Sequence, residues 1–343
     1  MKAYLNFAKI TLVLVYIVVI AGSVVRMTGS GMGCPDWPKC FGYMIPPTDE
    51  ETLQWGEGKS FQKGEVIIYQ ERLYKATGDF TTNDTFKDSN WELYTKHDYA
   101  KFNAFHTWTE FINRLFGALA GLATFILALW SFSYWKTNKK LALLAVLVVI
   151  GMLFEAWLGA TVVYSVLLPV KITIHMLMAL LIISMMISIV YQSSTKKIEY
   201  KADPLLKKLI GITLIMTLIQ VVLGTQVREF VDEQIKSLGE SNPESWLKAP
   251  PVLFYIHRSF SILMLLTNAY LYYRVTKLNL GYPKTKWALG FLILAALSGI
   301  IIYYADFPIF SQPIHLVVGS VLFGLQYYLL LESNTASKTQ KRL

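Results

Sequence analysis

The stretch KITLVLVYIVVIAGSVVRM, residues 9–27, carries Lys9 at one end and Arg26 near the other, with no charge between them. A membrane-spanning helix needs roughly 20 mostly apolar residues, because each rises about 1.5 Å through a hydrocarbon core of about 30 Å. This segment meets that requirement. LKKLIGITLIMTLIQVVLGTQVR at 206–228 meets it too and ends in the same way: Gly22 and Arg26 of the first stretch return as Gly224 and Arg228. Working outward, further apolar runs at 108–134, 141–164, 171–191, 252–275, 286–304 and 313–331 bring the expected spans to eight. With 54% of residues hydrophobic and 16% charged, a soluble globular enzyme is excluded. The spread of the runs describes one integral membrane domain rather than a soluble domain with an anchor. Lys2 gives the first run the look of a signal peptide, but no small-residue cleavage site follows, so a retained helix is expected.

The likeness between spans one and five extends to the others. Asn113-Arg114 in span two corresponds to His257-Arg258 in span six. Gly159 and Tyr164 in span three match Gly299 and Tyr304 in span seven. Ile174-His175 in span four matches Ile314-His315 in span eight, and each histidine lies sixteen residues beyond its glycine. Four spans per half preserve orientation, so the repeat is parallel. The expected fold is all-α: eight transmembrane helices as two tandem pseudo-symmetric four-helix bundles. The amino-terminal half takes residues 1–195 and the carboxy-terminal half 196–343.

The net charge of +9 is concentrated in alternate loops. Lys136, Lys139 and Lys140 lie between spans two and three. Lys196, Lys197, Lys201, Lys207 and Lys208 lie between four and five, and Arg274, Lys277, Lys284 and Lys286 between six and seven. The loop after span five is acidic instead, with Glu229, Asp232, Glu233, Glu240 and Glu244. The positive-inside rule then places both termini in the cytoplasm of a bacterial inner-membrane protein, and the charge calls for no nucleic-acid partner.

The first outward loop, 28–107, is the longest. Between 64 and 94, polar and apolar residues alternate in short runs punctuated by Gly, Asn and Asp, which predicts a small β-containing insertion within about 41–105. Gly64, Tyr69, Tyr74, Gly78 and Trp91 resemble the pattern of small carbohydrate-binding modules; a folded insertion shielding the site below is the plainer reading. Cys34 and Cys40, the two cysteines, precede it. An oxidising outer side favours a disulfide. So close a pair also suits a metal, although no further Cys or His stands beside it.

Three of the five histidines, His175, His257 and His315, fall near the outer ends of their spans at similar depth. A lone intramembrane histidine is as readily a packing residue as a ligand, whereas two at one depth in one bundle are harder to explain by packing. His257 and His315 can face each other, and bis-histidine ligation holds a haem iron between helices. Zinc would take more protein ligands than stand nearby. Arg26, Arg114, Arg228 and Arg258 share that layer. Snorkelling accounts for single arginines at helix ends, but two per bundle match the two propionates of a haem. Gly22, Gly29, Gly31, Gly159, Gly224 and Gly299 allow close helix packing or the approach of a flat ring. Glu110 begins span two on roughly the face of Asn113, with Arg114 one turn on as an ion-pair partner. Glu155 in span three is a second buried carboxylate with less around it.

Gly22-Ser-Val-Val-Arg-Met-Thr-Gly-Ser-Gly-Met-Gly-Cys-Pro-Asp-Trp-Pro-Lys-Cys40 resembles the first-span signature of the bacterial and mitochondrial haem A synthases. Glu110-Phe-Ile-Asn-Arg114, His175, residues 224–228, His257-Arg258 and His315 carry the likeness through the rest of the chain. The resemblance implies an oxidoreductase that oxidises a ring methyl of haem O to a formyl group, by two hydroxylations and loss of water. The product would be haem A for terminal oxidase assembly. It further implies haem b held by His257 and His315, substrate haem ligated by His175, Glu110 at the reacting methyl, and a Cys34–Cys40 disulfide over that site. The implied partners are haem O synthase, a separate electron donor or acceptor, and membrane lipid. The family commonly has histidine where this chain has Asn113, which predicts a substrate haem held by His175 alone with Asn113 in its pocket. Two readings from other classes are a di-haem b-type electron carrier without catalysis of its own and a transporter. Glu110 and Asn113 speak against the first, and histidines confined to one depth against the second.

Overall fold

The computed structural model describes residues 1–95, 101–164, 169–194, 200–239 and 241–340. Lys196, Lys197, Glu240 and the expected boundary at 195–196 lie outside them. Among the described residues eight helices are long and apolar enough to cross a membrane, which makes this a multi-pass membrane protein. They are α1 (Lys2–Met27), α2 (Ala104–Ser131), α3 (Lys139–Tyr164), α4 (Pro169–Ser193), α5 (Pro204–Leu238), α6 (Val252–Lys277), α7 (Lys284–Tyr304) and α8 (Ser311–Gln340). Local chemistry sets several ends. The Asp203 side chain accepts the Leu206 N–H at 2.6 Å while Pro204 opens α5, so an orphan donor is satisfied where a missing one costs nothing. Asn103 caps α2 through the His106 N–H. The expected end of span five at Arg228 falls short. No helix breaker stands before Gly239, which turns out of the helix at φ 88°, so Glu229, Asp232 and Glu233 ride on α5 rather than in a loop.

In the first half α1 packs on α2 and α4, and α3 on α2 and α4; in the second α5 packs on α6 and α8, and α7 on α6 and α8. Each ring has an apolar core, and Phe323 of α8 enters the first across the seam. Tyr4, Val15, Leu127, Leu141, Ile183 and Met186 fill one, and Leu206, Ile210, Met264, Leu271, Leu292 and Leu329 fill the other. The halves meet through α4 and α8, and through α1 on α8 and α4 on α5, the pairings that a twofold repeat requires. Leu122, Leu153, Ile262, Leu266 and Ile300 are exposed on the outside, where lipid would cover them.

Buried polar groups tie helices across these seams. Thr217 donates to Gln326 Oε1 at 2.7 Å, and Gln326 donates to Asn268 Oδ1 at 3.3 Å, linking α5, α8 and α6. Ser188 and Tyr327 join α4 to α8 at 2.9 Å. Interhelical bonds of this kind are worth on average only about 0.6 kcal/mol each in a membrane, so they fix register more than they add stability. At the opposite end from the histidines, Arg274 grips Asp203 with two bonds of 3.1 and 2.7 Å.

The insertion holds two sheets. Val66–Tyr69 (β2), Arg72–Ala76 (β3) and Trp91–Leu93 (β5), which fall on the alternating runs, form an antiparallel trio in the order β2-β3-β5. Ser60–Phe61 (β1) and Phe80–Thr81 (β4) form a second pair that alternation did not reveal, being only two residues each. Tyr69 lies opposite Arg72, so Gln70 and Glu71 make the two-residue turn, and both take positive φ. Asn-Gly is the usual signature of such a turn, and its absence weakened the signal. Trp91, Phe61 and Ile67 are buried beneath Trp55, Tyr69, Tyr74, Phe80 and Phe86, so the aromatic pattern builds a core.

Candidate functional site

The four repeat glycines each stand against the side chain at a proposed ligand position on a neighbouring helix. A Cβ on Gly224 of α5 would lie 3.1 Å from His257 Cε1 of α6, and one on Gly299 of α7 would lie 3.3 Å from His315 Cε1 of α8. In the other half, Gly159 of α3 would meet His175 Cε1 of α4 at 3.6 Å, and Gly22 of α1 would meet Asn113 Oδ1 of α2 at 3.8 Å. One pairing thus occurs four times. In each, the missing side chain leaves the room in which a planar group can lie flat against a helix.

His257 and His315 come together, with ring centroids 6.2 Å apart. Two imidazoles on one metal ion at metal–nitrogen distances of about 2 Å have centroids about 6 Å apart, so the spacing fits a single ion between them. His315 is oriented from behind: its Nδ1 lies 3.0 Å from the Ala295 carbonyl and 2.9 Å from Ser298 Oγ, which leaves Nε2 as the free nitrogen. His257 Nδ1 is buried without a hydrogen-bond partner among the described residues, while its carbonyl accepts from Gln220 Nε2 at 2.9 Å. Among the described residues no group of three or more His, Cys, Asp and Glu gathers into a metal site. A two-histidine pair therefore suits an ion that brings its other equatorial ligands with it, as haem iron does.

In the amino-terminal half, His175 is about two-fifths exposed, and its Nδ1 lies 3.3 Å from Glu155 Oε1. Asn113 Oδ1 is buried and accepts no hydrogen bond from the described residues. Leaving such an atom unpaired costs about 1–3 kcal/mol, a penalty that a bound donor or ligand would relieve. His106 is used elsewhere. It sits in the first turn of α2, where its Nδ1 lies 3.0 Å from Ser30 Oγ.

The disulfide between Cys34 and Cys40 is formed and buried. One face of α2 holds the loop that carries it. Glu110 Oε2 accepts the Cys34 N–H at 2.9 Å, Thr107 donates to the Gly33 carbonyl at 2.8 Å, and Arg114 donates to the carbonyls of Asp36 and Lys39 at 2.7 and 2.9 Å. Glu110 Oε1 is paired with Arg114. Gly33 is required here, because a Cβ would fall 2.5 Å from the His106 carbonyl. Asp36 accepts the N–H groups of Phe41 and Gly42, yet burial still pushes its carboxyl up. The insertion rests on this loop through Tyr94, which donates to the Pro35 carbonyl, and through Val66, Leu53 and Leu73 around the disulfide. Glu110, 4% exposed, therefore lies directly beneath a braced lid and one turn above Asn113.

The arginines divide. Arg26 and Arg228 converge from α1 and α5 on Asp232, at 3.0 and 2.7 Å, and Arg228 also bonds Gln312. Arg114 is committed to the lid. Arg258 is exposed and lies over the rings of Phe254 and Tyr255; among the described residues no carboxylate pairs with it. Sequence reasoning missed Asp232, because it was assigned to a loop, and Ser298 and Gln220, which carry no signal of their own. The position of Gln220 one turn before Gly224, and of Ser298 immediately before Gly299, was the available clue.

A family model described as cytochrome oxidase assembly protein matches residues 6–327. Among curated relatives named heme A synthase, that of Ehrlichia canis is 24% identical over 345 residues, covering 92% of this chain and 89% of the relative. That of Bartonella quintana is 24% identical over 333 residues, covering 89% and 85%. That of Shewanella oneidensis is 25% identical over 219 residues, 63% of this chain, and the match spans about half of that relative, 54%.

Proposed function

The chain belongs to the cytochrome oxidase assembly protein family, and from that premise we propose that it is a haem A synthase, an oxidoreductase that converts a ring methyl of haem O into the formyl group of haem A. The observation that carries the reading is the fourfold pairing of glycine with ligand position, occupied by histidine in three cases and by Asn113 in the fourth. Such an arrangement describes two flat-ring sites of one design and unequal ligation.

His257 and His315 hold haem b in the carboxy-terminal half, where it supplies one-electron redox chemistry. Haem O occupies the amino-terminal half with His175 as its iron ligand. Asn113 offers an amide on the opposite side, and Glu110 keeps a negative charge near the reacting methyl. The net change removes four electrons and replaces two hydrogens by oxygen. Glu110 accepts a proton or stabilises positive charge as this proceeds. Its fixed donors, Arg114 and the Cys34 N–H, hold it ready for that role. The lid excludes water from above, and the half-buried histidine positions leave a lipophilic haem a lateral way in from the bilayer. Arg258, with no carboxylate partner among the described residues, and Arg26 and Arg228, which share one, are offered to propionates. The lysine-rich loops face the cytoplasm, so the insertion lies outside a bacterial inner membrane. Haem O synthase and an external redox partner serve the enzyme there.

Expression in a host that makes haem O but no haem A tests the reading. Haem A in the membranes supports it, and a folded, haem-loaded protein that yields none overturns it. The ligand set has its own test. His106→Ala should keep the amino-terminal haem, since His106 is turned to Ser30. Asn113→His should convert that haem from high-spin to low-spin in absorption and electron paramagnetic resonance spectra. Loss of the amino-terminal haem in His106→Ala would make His106 the missing ligand.

A further inference from the structure

Glu155 is a carboxylate within a membrane helix that the reaction outlined above does not use. It lies on α3, one turn before Gly159, so a single stretch of helix presents both the gap beside His175 and an acceptor for its ring. Glu155 Oε1 is 3.3 Å from His175 Nδ1, within ion-pair reach but outside hydrogen-bond geometry; its side chain is 15% exposed, and among the described residues neither His175 Nδ1 nor Glu155 Oε2 has a hydrogen-bond partner. The repeat shows what is particular about it. The offset that relates Gly159 to Gly299 relates Glu155 to Ala295, and it is the Ala295 carbonyl, with Ser298, that faces His315 Nδ1. The two halves thus set oxygen atoms behind the equivalent imidazole at the same place, neutral ones hydrogen-bonded to His315 and a carboxylate at ion-pair distance from His175. The half with the carboxylate is also the half in which asparagine takes the place of a second histidine.

We propose that Glu155 is the positioning residue of His175: its carboxylate accepts the Nδ1 proton, turns Nε2 toward the substrate iron, and makes His175 a stronger electron donor than His315. A carboxylate behind a ligating imidazole raises ligand basicity and fixes the ring, and second-shell hydrogen bonding of this kind sets haem potentials. The iron of the amino-terminal half, short of one strong axial ligand, is compensated through the other. The inference rests on the reading that His175 ligates the substrate haem.

The test uses the full-length protein with haem in both halves, and reads the iron–histidine stretching band of the reduced amino-terminal haem and its midpoint potential. Glu155→Gln should lower the band frequency and raise the potential, and Glu155→Ala should do both more strongly. Glu155→Asp should return them part of the way. The haem b spectrum of the other half should stay as in the wild type, which also reports that each variant is folded. An unchanged band and potential in Glu155→Gln would overturn the proposal. His175→Ala separates the two levels. If it removes the amino-terminal haem while Glu155→Gln changes nothing, the role of Glu155 alone falls. If that haem keeps its spectrum in His175→Ala, the ligand assignment falls and Glu155 with it.

Discussion

Replacing either His257 or His315 by alanine should abolish the low-spin b-type spectrum of the purified protein, not merely reduce it. A low-spin haem needs two strong axial ligands, and the 6.2 Å between these rings fits one ion held by both. The amino-terminal haem should survive in both variants, because its proposed site lies among α1–α4, away from α6 and α7. Visible absorption at low temperature reads both signals in one sample. An unchanged b-type spectrum in both variants would place the cofactor elsewhere and remove the basis for assigning the halves.

Glu110→Gln should leave haem O able to bind and keep haem A from accumulating. Glutamine keeps the size of the side chain, and its amide oxygen can still accept the Cys34 N–H, so the lid loses a charge but not its attachment. Arg114 also retains the carbonyls of Asp36 and Lys39. The change in stability should therefore stay within about 1–3 kcal/mol, the range for a single charged hydrogen bond. Haem A formation should fall by about 10²- to 10⁴-fold, as for the loss of a positioned proton acceptor, with a partly oxidised haem retained in place of product. The ratio of haem O to haem A extracted from the variant is the readout. Wild-type conversion would reduce Glu110 to an anchor for the disulfide loop.

The membrane helices were legible because their signal is long and redundant: a run such as 141–164 has almost nothing but aliphatic and aromatic residues. The repeat was legible for another reason, since glycine, histidine and arginine recur at fixed offsets within otherwise interchangeable apolar sequence. Their spacing singled out Asn113, His175, His257 and His315 before any contact was known. It could not say that the glycines make room for those very side chains, because helix rotation decides which faces meet. Charges near span ends were read less well. Asp232 looked like loop, yet α5 continues to Leu238 and carries it to Arg26 and Arg228, a pairing that depends on helix phase across two halves of the chain. The β1–β4 pair was illegible because two residues show no period. Glu155 was noticed only as a carboxylate, since its partner lies on another helix.

The most direct test of the central claim is the identity and amount of haem released from the purified protein, separated by chromatography after acid extraction. A haem A synthase of this design should yield haem b together with haem O or haem A, in about equal amounts, with the second species lost in His175→Ala and haem b lost in His257→Ala. Two equivalents of haem b, with neither haem O nor haem A, would contradict it and describe a di-haem electron carrier instead.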